Sequence, residues 1–152
     1  MESIETMRAK PDDHQVLTDI TKKSKAYWGY SAEQMENWSD LLTITEEYIK
    51  TNEVYHLSIN DVTIAFYSYL ILNEDSAKLD NLFVLPSEIG KGYGKLLMND
   101  FLNKIRETTI KNITLDADPN AQKFYERFGF VKIGEIETSV KDRFLPIMEK
   151  KL

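Results

Sequence analysis

The spacing of apolar positions changes character several times along the chain. SIETMRAK (3–10) alternates and predicts a short strand, halted by Pro11. Asp12 and Asp13 then sit where the first turn of a helix favours acid. Over DDHQVLTDITKKSKAYW (12–28), Val16, Leu17, Ile20 and Ser24 fall on one helical stripe. Ser31, followed by Glu33 and Gln34, reads as the N-cap of a second helix carrying Met35, Trp38 and Leu42 at helical spacing.

From Val54 the period drops to two. VYHLSIN (54–60) and VTIAFYSYLIL (62–72) are rich in β-branched and aromatic residues, with Asn60-Asp61 as a tight-turn signal. SAKLDNLFVLP (76–86) is a third strand, closed by Pro86. GKGYGK (90–95) follows, then a helix with Leu97, Phe101 and Ile105 at i, i+4, i+8. KNITLDAD (111–118) is another strand. Asp118-Pro119 is an N-cap with an N1 proline, and Gly129 stops the helix it starts. GFVKIGEIETSV (129–140) and RFLPIMEKKL (143–152) read as two last strands.

The order is β-α-α-β-β-β-α-β-α-β-β: an α/β chain with a mixed sheet, antiparallel at first and parallel near the glycines. At 152 residues, 42% hydrophobic and 29% charged, it is expected to form a single domain over 1–152. No apolar stretch approaches the roughly 20 residues of a membrane span, and the N-terminus has no signal-peptide core. The chain has no cysteine, which removes thiolate metal sites and cysteine nucleophiles and makes the cytoplasm the expected compartment. Two histidines argue against a histidine metal site, and a net charge of −6 argues against a nucleic-acid surface. No metal, nucleic-acid or membrane partner is expected.

Three glycines in six residues need a reason, because glycine weakens any regular element. A strand that runs through a glycine turn into a helix N-terminus presents bare backbone N–H groups and partial positive charge, which suits phosphate oxygens. Lys91 and Lys95 add charge. A tight connection with no ligand would use glycine equally well. A Walker loop does not fit, since Leu96 follows Lys95 where Ser or Thr is required. The dinucleotide fingerprint does not fit either: the spacing is G-x-G-x-G, and two helices and four strands precede it.

Further on, DADPNAQKFYERFGF (116–130) places Phe124 and Phe128 one turn apart as expected core, with Tyr125 on their flank, where packing or chemistry explains an aromatic. Together, LFVLPSEIGKGYGKLLM and DPNAQKFYERFGF resemble the two acetyl-CoA-binding segments of the GNAT superfamily of N-acyltransferases. The first is similar to that family's strand–Val-x-Pro–(Arg/Gln)-x-x-Gly-x-(Gly/Ala)–helix motif, and the second to its Ala-x-x-Phe-Tyr-x-x-x-Gly-Phe segment. The resemblance covers essentially the whole chain. It implies a cofactor in a V-shaped opening between parallel strands 76–85 and 112–117. Backbone groups of Phe83, Val84 and Leu85 would pair with the pantetheine arm and acetyl carbonyl. The amides of Gly90, Lys91, Gly92, Tyr93, Gly94 and Lys95 would hold the pyrophosphate, and Asp118, Asn120, Phe124 and Tyr125 would flank the arm and sulfur. The chain departs from the family twice: Ile89 stands where Arg or Gln is usual, and Asp118 where Asn is usual. Both bear on affinity more than on reaction type.

The implied reaction is direct transfer of acetyl from acetyl-CoA to a primary amine, with Tyr125 as proton donor to the leaving thiolate and a Val84 amide facing the oxyanion. The base is open among Asp80, His56 and a water chain. Trp28, Tyr30 and Tyr67 are the expected acceptor-side aromatics, while Trp38 is expected in the core. Arg143 would meet an acidic substrate group or simply solvent. The acceptor would be a small-molecule or peptide amine, and a homodimer is a plausible assembly. A non-catalytic acyl-CoA-binding module, or a protein holding another nucleotide in the loop, are the competing readings.

Overall fold

A computed structural model describes residues 3–138 and 143–152. Strand β1 (Ile4–Arg8) pairs antiparallel with β2 (Glu53–Ile59), and β2 with β3 (Val62–Ile71). Asn60 and Asp61 turn the β2–β3 hairpin with φ of 50° and 68°, the left-handed pair that a two-residue connection requires. β4 (Ser76–Val84) follows through a second hairpin closed by the Leu72 amide on the Ser76 carbonyl at 2.9 Å. β4 then pairs in parallel with β5 (Asn112–Asp116), and β7 (Phe144–Lys151) lies between β5 and β6 (Val131–Glu137). The seven strands run β1-β2-β3-β4-β5-β7-β6. The parallel register spans only Ser76–Asn112, Ala77–Ile113 and Lys78–Thr114, although β4 continues to Val84 and β5 to Asp116. The mixed sheet is the one expected. Ser139 and Val140, the predicted end of the 129–140 strand, lie outside the described residues.

The chain forms two compact units, 1–69 with 81–103 and 70–80 with 104–152. In the first, helix α1 (His14–Ala26) follows a 3-10 turn at Pro11–Asp13. Its buried side is Leu17, Thr18, Ile20, Thr21 and Ser24, whereas Val16 is 44% exposed. The stripe therefore sits about 100° from Val16, with threonines in its apolar face. Thr18 and Thr21 donate their hydroxyls to the carbonyls of His14 and Leu17, both at 2.8 Å, so they are buried without an orphaned polar atom. Helix α2 (Ala32–Asn37) is capped as expected by Ser31, whose hydroxyl accepts from the Gln34 amide at 3.0 Å. It ends before Leu42, although both Trp38 and Leu42 are buried.

A helix absent from the sequence reading, α3 (Glu46–Thr51), starts on Thr45, whose hydroxyl accepts from the Tyr48 amide. The element order thus gains one helix before β2. Ala9, Leu17, Ile20, Ile44, Ile49, Val54 and Phe66 make this unit's core, with Tyr48, Phe83 and Leu85 packed against it. Helix α4 (Tyr93–Arg106) begins in the same unit, and Leu97, Phe101 and Ile105 are buried as its spacing predicts. In the second unit, Ile113, Leu115 and Met148 are buried, and α5 (Gln122–Glu126) follows a 3-10 turn at Pro119–Ala121. No helix among the described residues is long and apolar enough to cross a membrane.

Arg8 ties β1 to the end of α3. Its guanidinium donates to the carbonyls of Ile49 (2.8 Å), Asn52 (2.6 Å) and Val54 (2.8 Å), neutralising the negative end of that short helix. A six-residue helix is not stable alone, so it depends on such tertiary anchors. Arg8→Ala is expected to cost about 2 kcal/mol in urea denaturation and to speed amide exchange at Asn52–Val54. An unchanged midpoint would show the anchor to be dispensable.

Candidate active site

The residues predicted for the site fall into two sets, one in each unit. In the first unit Pro86–Glu88 forms a 3-10 turn, and Gly90 and Gly92 follow with φ of +87° and +86°. A Cβ built on either glycine meets nothing within 4 Å, so these positions are glycine for their left-handed backbone and not for lack of room. Gly94 differs: α4 already begins at Tyr93, and Gly94 and Lys95 belong to its first turn. The Leu96 amide bonds the Gly92 carbonyl at 3.1 Å as the first intrahelical link, so the amides ahead of it have no helical acceptor. The turn thus aims main-chain N–H groups and the positive end of a 14-residue helix outward. Ile89 is 47% exposed, and Lys91 is paired with Glu88 at 2.8 Å.

Just upstream, the Leu85 amide is committed to the Ile64 carbonyl at 2.9 Å, which removes it from the groups expected to meet a pantetheine arm. Successive backbone groups of a strand point to opposite sides, so the Val84 N–H faces away from β3. The Val84 carbonyl accepts the Ser24 hydroxyl at 3.0 Å. The Phe83 ring lies 5.9 Å from that of Phe66, with the Lys25 ammonium 5.9 Å from its centroid.

Of the acceptor-side aromatics, Trp28 is 45% exposed and in edge contact with Tyr27 at 5.3 Å, while Tyr30 is half-buried against the buried Trp38 at 4.9 Å. Tyr67 is a correction. It is fully buried, stacks against both Tyr55 and Tyr69, and donates its hydroxyl to Asp100 at 2.5 Å, so its ring is core and not a surface for substrate. His56 is also buried, with Nδ1 3.2 Å from the Ser58 hydroxyl and Nε2 3.7 Å from Asp13. Burial pushes its pKa down, against the pull of Asp13, and leaves a neutral ring engaged on both sides. Tyr48, Ser68 and Asn81 form a further polar network that no sequence motif announces: the two hydroxyls are 2.8 Å apart, and the Asn81 amide donates to Ser68 at 2.9 Å.

In the second unit Asp80 is exposed on β4. Two residues earlier, Lys78 pairs with Asp116 at 2.8 Å, at the last register position that β4 and β5 share. Asp118 caps the turn into α5: one carboxylate oxygen accepts the Asn120 amide at 2.9 Å and the Asn120 side chain at 2.8 Å. The other oxygen meets Arg143 at 3.1 Å. Those two charged side chains are 9% and 12% exposed, so Arg143 is turned to Asp118 and away from solvent.

The aromatic order in α5 reverses the expectation. Tyr125 is the buried ring, packed edge-on to Phe124 and Phe130 at 5.3 and 5.9 Å, while Phe124 and Phe128 are half-buried. Burial, and secondarily the Asp118 carboxylate, push the Tyr125 phenol above its ordinary range. The phenol is protonated near neutral pH, as an ordinary tyrosine is, and burial makes it a weaker acid.

Residues 28–152 match the model of the acetyltransferase (GNAT) domain. The chain belongs to the GNAT acetyltransferase family. Its fold is that of the PaiA N-acetyltransferase from Thermoplasma acidophilum, solved in complex with coenzyme A, with a TM-score of 0.81 at 21% identity over 99% of both chains. It is 33% identical over 60 residues to the uncharacterized N-acetyltransferase ycf52 of Porphyra purpurea, covering 40% of this chain and 34% of that one. Over 61 residues it is 33% identical to the [ribosomal protein bS18]-alanine N-acetyltransferase of Haemophilus influenzae, covering 39% of this chain and 42% of that one. Against these curated relatives the GNAT chain spans well under half of their length.

Removing Arg143 would leave Asp118 charged and buried with a cation missing. Arg143→Ala is expected to cost about 3 kcal/mol in denaturant unfolding, and Asp118→Asn distinctly less, since it leaves no buried anion. Equal small losses would show that the pair is solvated.

Proposed function

We propose that this chain is an acetyl-CoA-dependent N-acetyltransferase that passes the acetyl group directly to a primary amine on a small molecule or peptide. The observation that carries the reading is the left-handed Gly90–Gly92 turn, which leads straight into the first turn of α4, where backbone amides have no intrahelical acceptor. The family match runs through both compact units, which supports reading 1–152 as one GNAT domain.

Acetyl-CoA supplies the thioester. The amides of Gly90 to Lys95 hold its diphosphate, with Lys91 and Lys95 adding charge, and the strand at Phe83–Val84 lines the pantetheine arm. The family resemblance supports Asn120 and Phe124 as further cofactor contacts, and Asp118 caps the turn that carries Asn120. Main-chain donors do most of this work, so Ile89 in place of Arg or Gln weakens the grip without abolishing it. The Val84 N–H donates to the carbonyl oxygen where negative charge builds up. The Tyr125 hydroxyl protonates the departing sulfur. An alkyl ammonium, with a pKa of about 10.4, must lose a proton before it can attack, and Asp80 takes that proton directly or through water. Trp28 and Tyr30 flank the acceptor. With no cysteine in the chain, no thiol of the protein takes up the acyl group on the way.

The test offers purified protein acetyl-CoA and a panel of amines and follows free CoA. Tyr125→Phe is expected to lower kcat about 100-fold with little change in KM for acetyl-CoA. Saturable CoA binding without turnover on any amine would make the chain a non-catalytic acyl-CoA-binding module. Binding of ATP or NAD in place of CoA would overturn the assignment of the loop.

A further inference from the structure

The phosphate turn carries an acid that none of the motifs uses. Glu88 ends the 3-10 turn at Pro86–Glu88, its own amide bonded to the Leu85 carbonyl at 2.8 Å, and its carboxylate receives Lys91 Nζ at 2.8 Å. The acid is the more buried partner, its side chain 23% exposed against 54% for the lysine. It is fixed by a proline-started turn, whereas Lys91 lies between two left-handed glycines. Residues 86–95 contain two lysines and one acid. Pairing one lysine with that acid leaves Lys95 as the only ammonium not held by Glu88, at the place where Ile89 has already removed the family's side-chain donor.

We propose that Glu88 sets the affinity of this loop for its anionic ligand by holding Lys91 in a competing ion pair that the CoA diphosphate must break. The proposal rests on the reading of the loop as a CoA site. In the unliganded protein the lysine ammonium is bound to a carboxylate, and in the liganded one to a phosphate oxygen. The exchange conserves charge and hydrogen bonds at Lys91 but releases Glu88, so net affinity is the phosphate contact less the ion pair. An exposed pair of this kind is weak, so the restraint is a trim on affinity and not a block. It also makes Lys91 the substitute for the missing Arg or Gln, a donor supplied two residues later and kept in reserve.

Calorimetric titration of the full chain with CoA tests this. Glu88→Gln, an isosteric change at the surface, is expected to tighten CoA binding about two- to fivefold, and Lys91→Gln to weaken it by a similar factor. In the Lys91→Gln background the gain from Glu88→Gln is expected to shrink towards one. Dephospho-CoA, which keeps the diphosphate and lacks the 3′-phosphate, is expected to show the same gain. Unchanged or weaker binding by Glu88→Gln overturns the proposal, as does an equal gain without Lys91, which would mean plain repulsion of the ligand by the acid. A gain confined to CoA and lost with dephospho-CoA would overturn the assignment of Lys91 to the diphosphate. If the unaltered protein binds no CoA, the functional reading itself fails, and that outcome is distinct from the others.

Discussion

The cofactor site proposed for this protein depends on a backbone conformation that glycine alone adopts at little cost. Gly90 and Gly92 sit near φ +87°, a region where a side chain bears a steric penalty of about 1–2 kcal/mol per residue. Glycine there lets the chain leave the 3-10 turn at Pro86–Glu88 and enter α4 at Tyr93, where the first amides have no intrahelical acceptor. The strand side of the turn is pinned by Leu85 on Ile64, and the helix side by the buried Leu97 and Phe101. A rigid frame on both sides keeps the amides pre-arranged, which is what lets main-chain dipoles bind an anion without large ordering costs.

The second unit holds a largely buried carboxylate and a buried phenol. Asp118 caps the turn into α5, and its field favours the neutral form of Tyr125. A buried carboxylate with one neighbour would be costly, and Arg143 supplies the counter-charge from the start of the last strand. Asn120 satisfies the remaining oxygen through two bonds, so the cap is complete.

Much of the fold was legible because its signals are local. The Asn60-Asp61 hairpin, the Ser31 cap, the proline starts and the Gly129 stop each act within four residues. The helix α3 was missed because six residues with one buried apolar side chain, Ile49, show no periodicity, although Thr45-Glu46-Glu47 is a start signal. The face of α1 was misplaced towards Val16 because Thr18 and Thr21 look polar on paper, while their hydroxyls close onto the helix's own backbone. In α5 the motif picked out Tyr125, but spacing alone assigned the core to Phe124 and Phe128. Which flank is covered depends on Phe130, beyond the helix end. The ion pairs of Arg143 with Asp118 and Lys91 with Glu88 need three-dimensional placement or side-chain reach, and neither leaves a periodic trace.

Backbone amide resonances of residues 90–96, followed by two-dimensional NMR while CoA is added, test the central claim most directly. The account predicts that the Gly92, Tyr93, Gly94 and Lys95 amides shift together and saturate at one equivalent of CoA. Binding of CoA that leaves those four amides unmoved would contradict it.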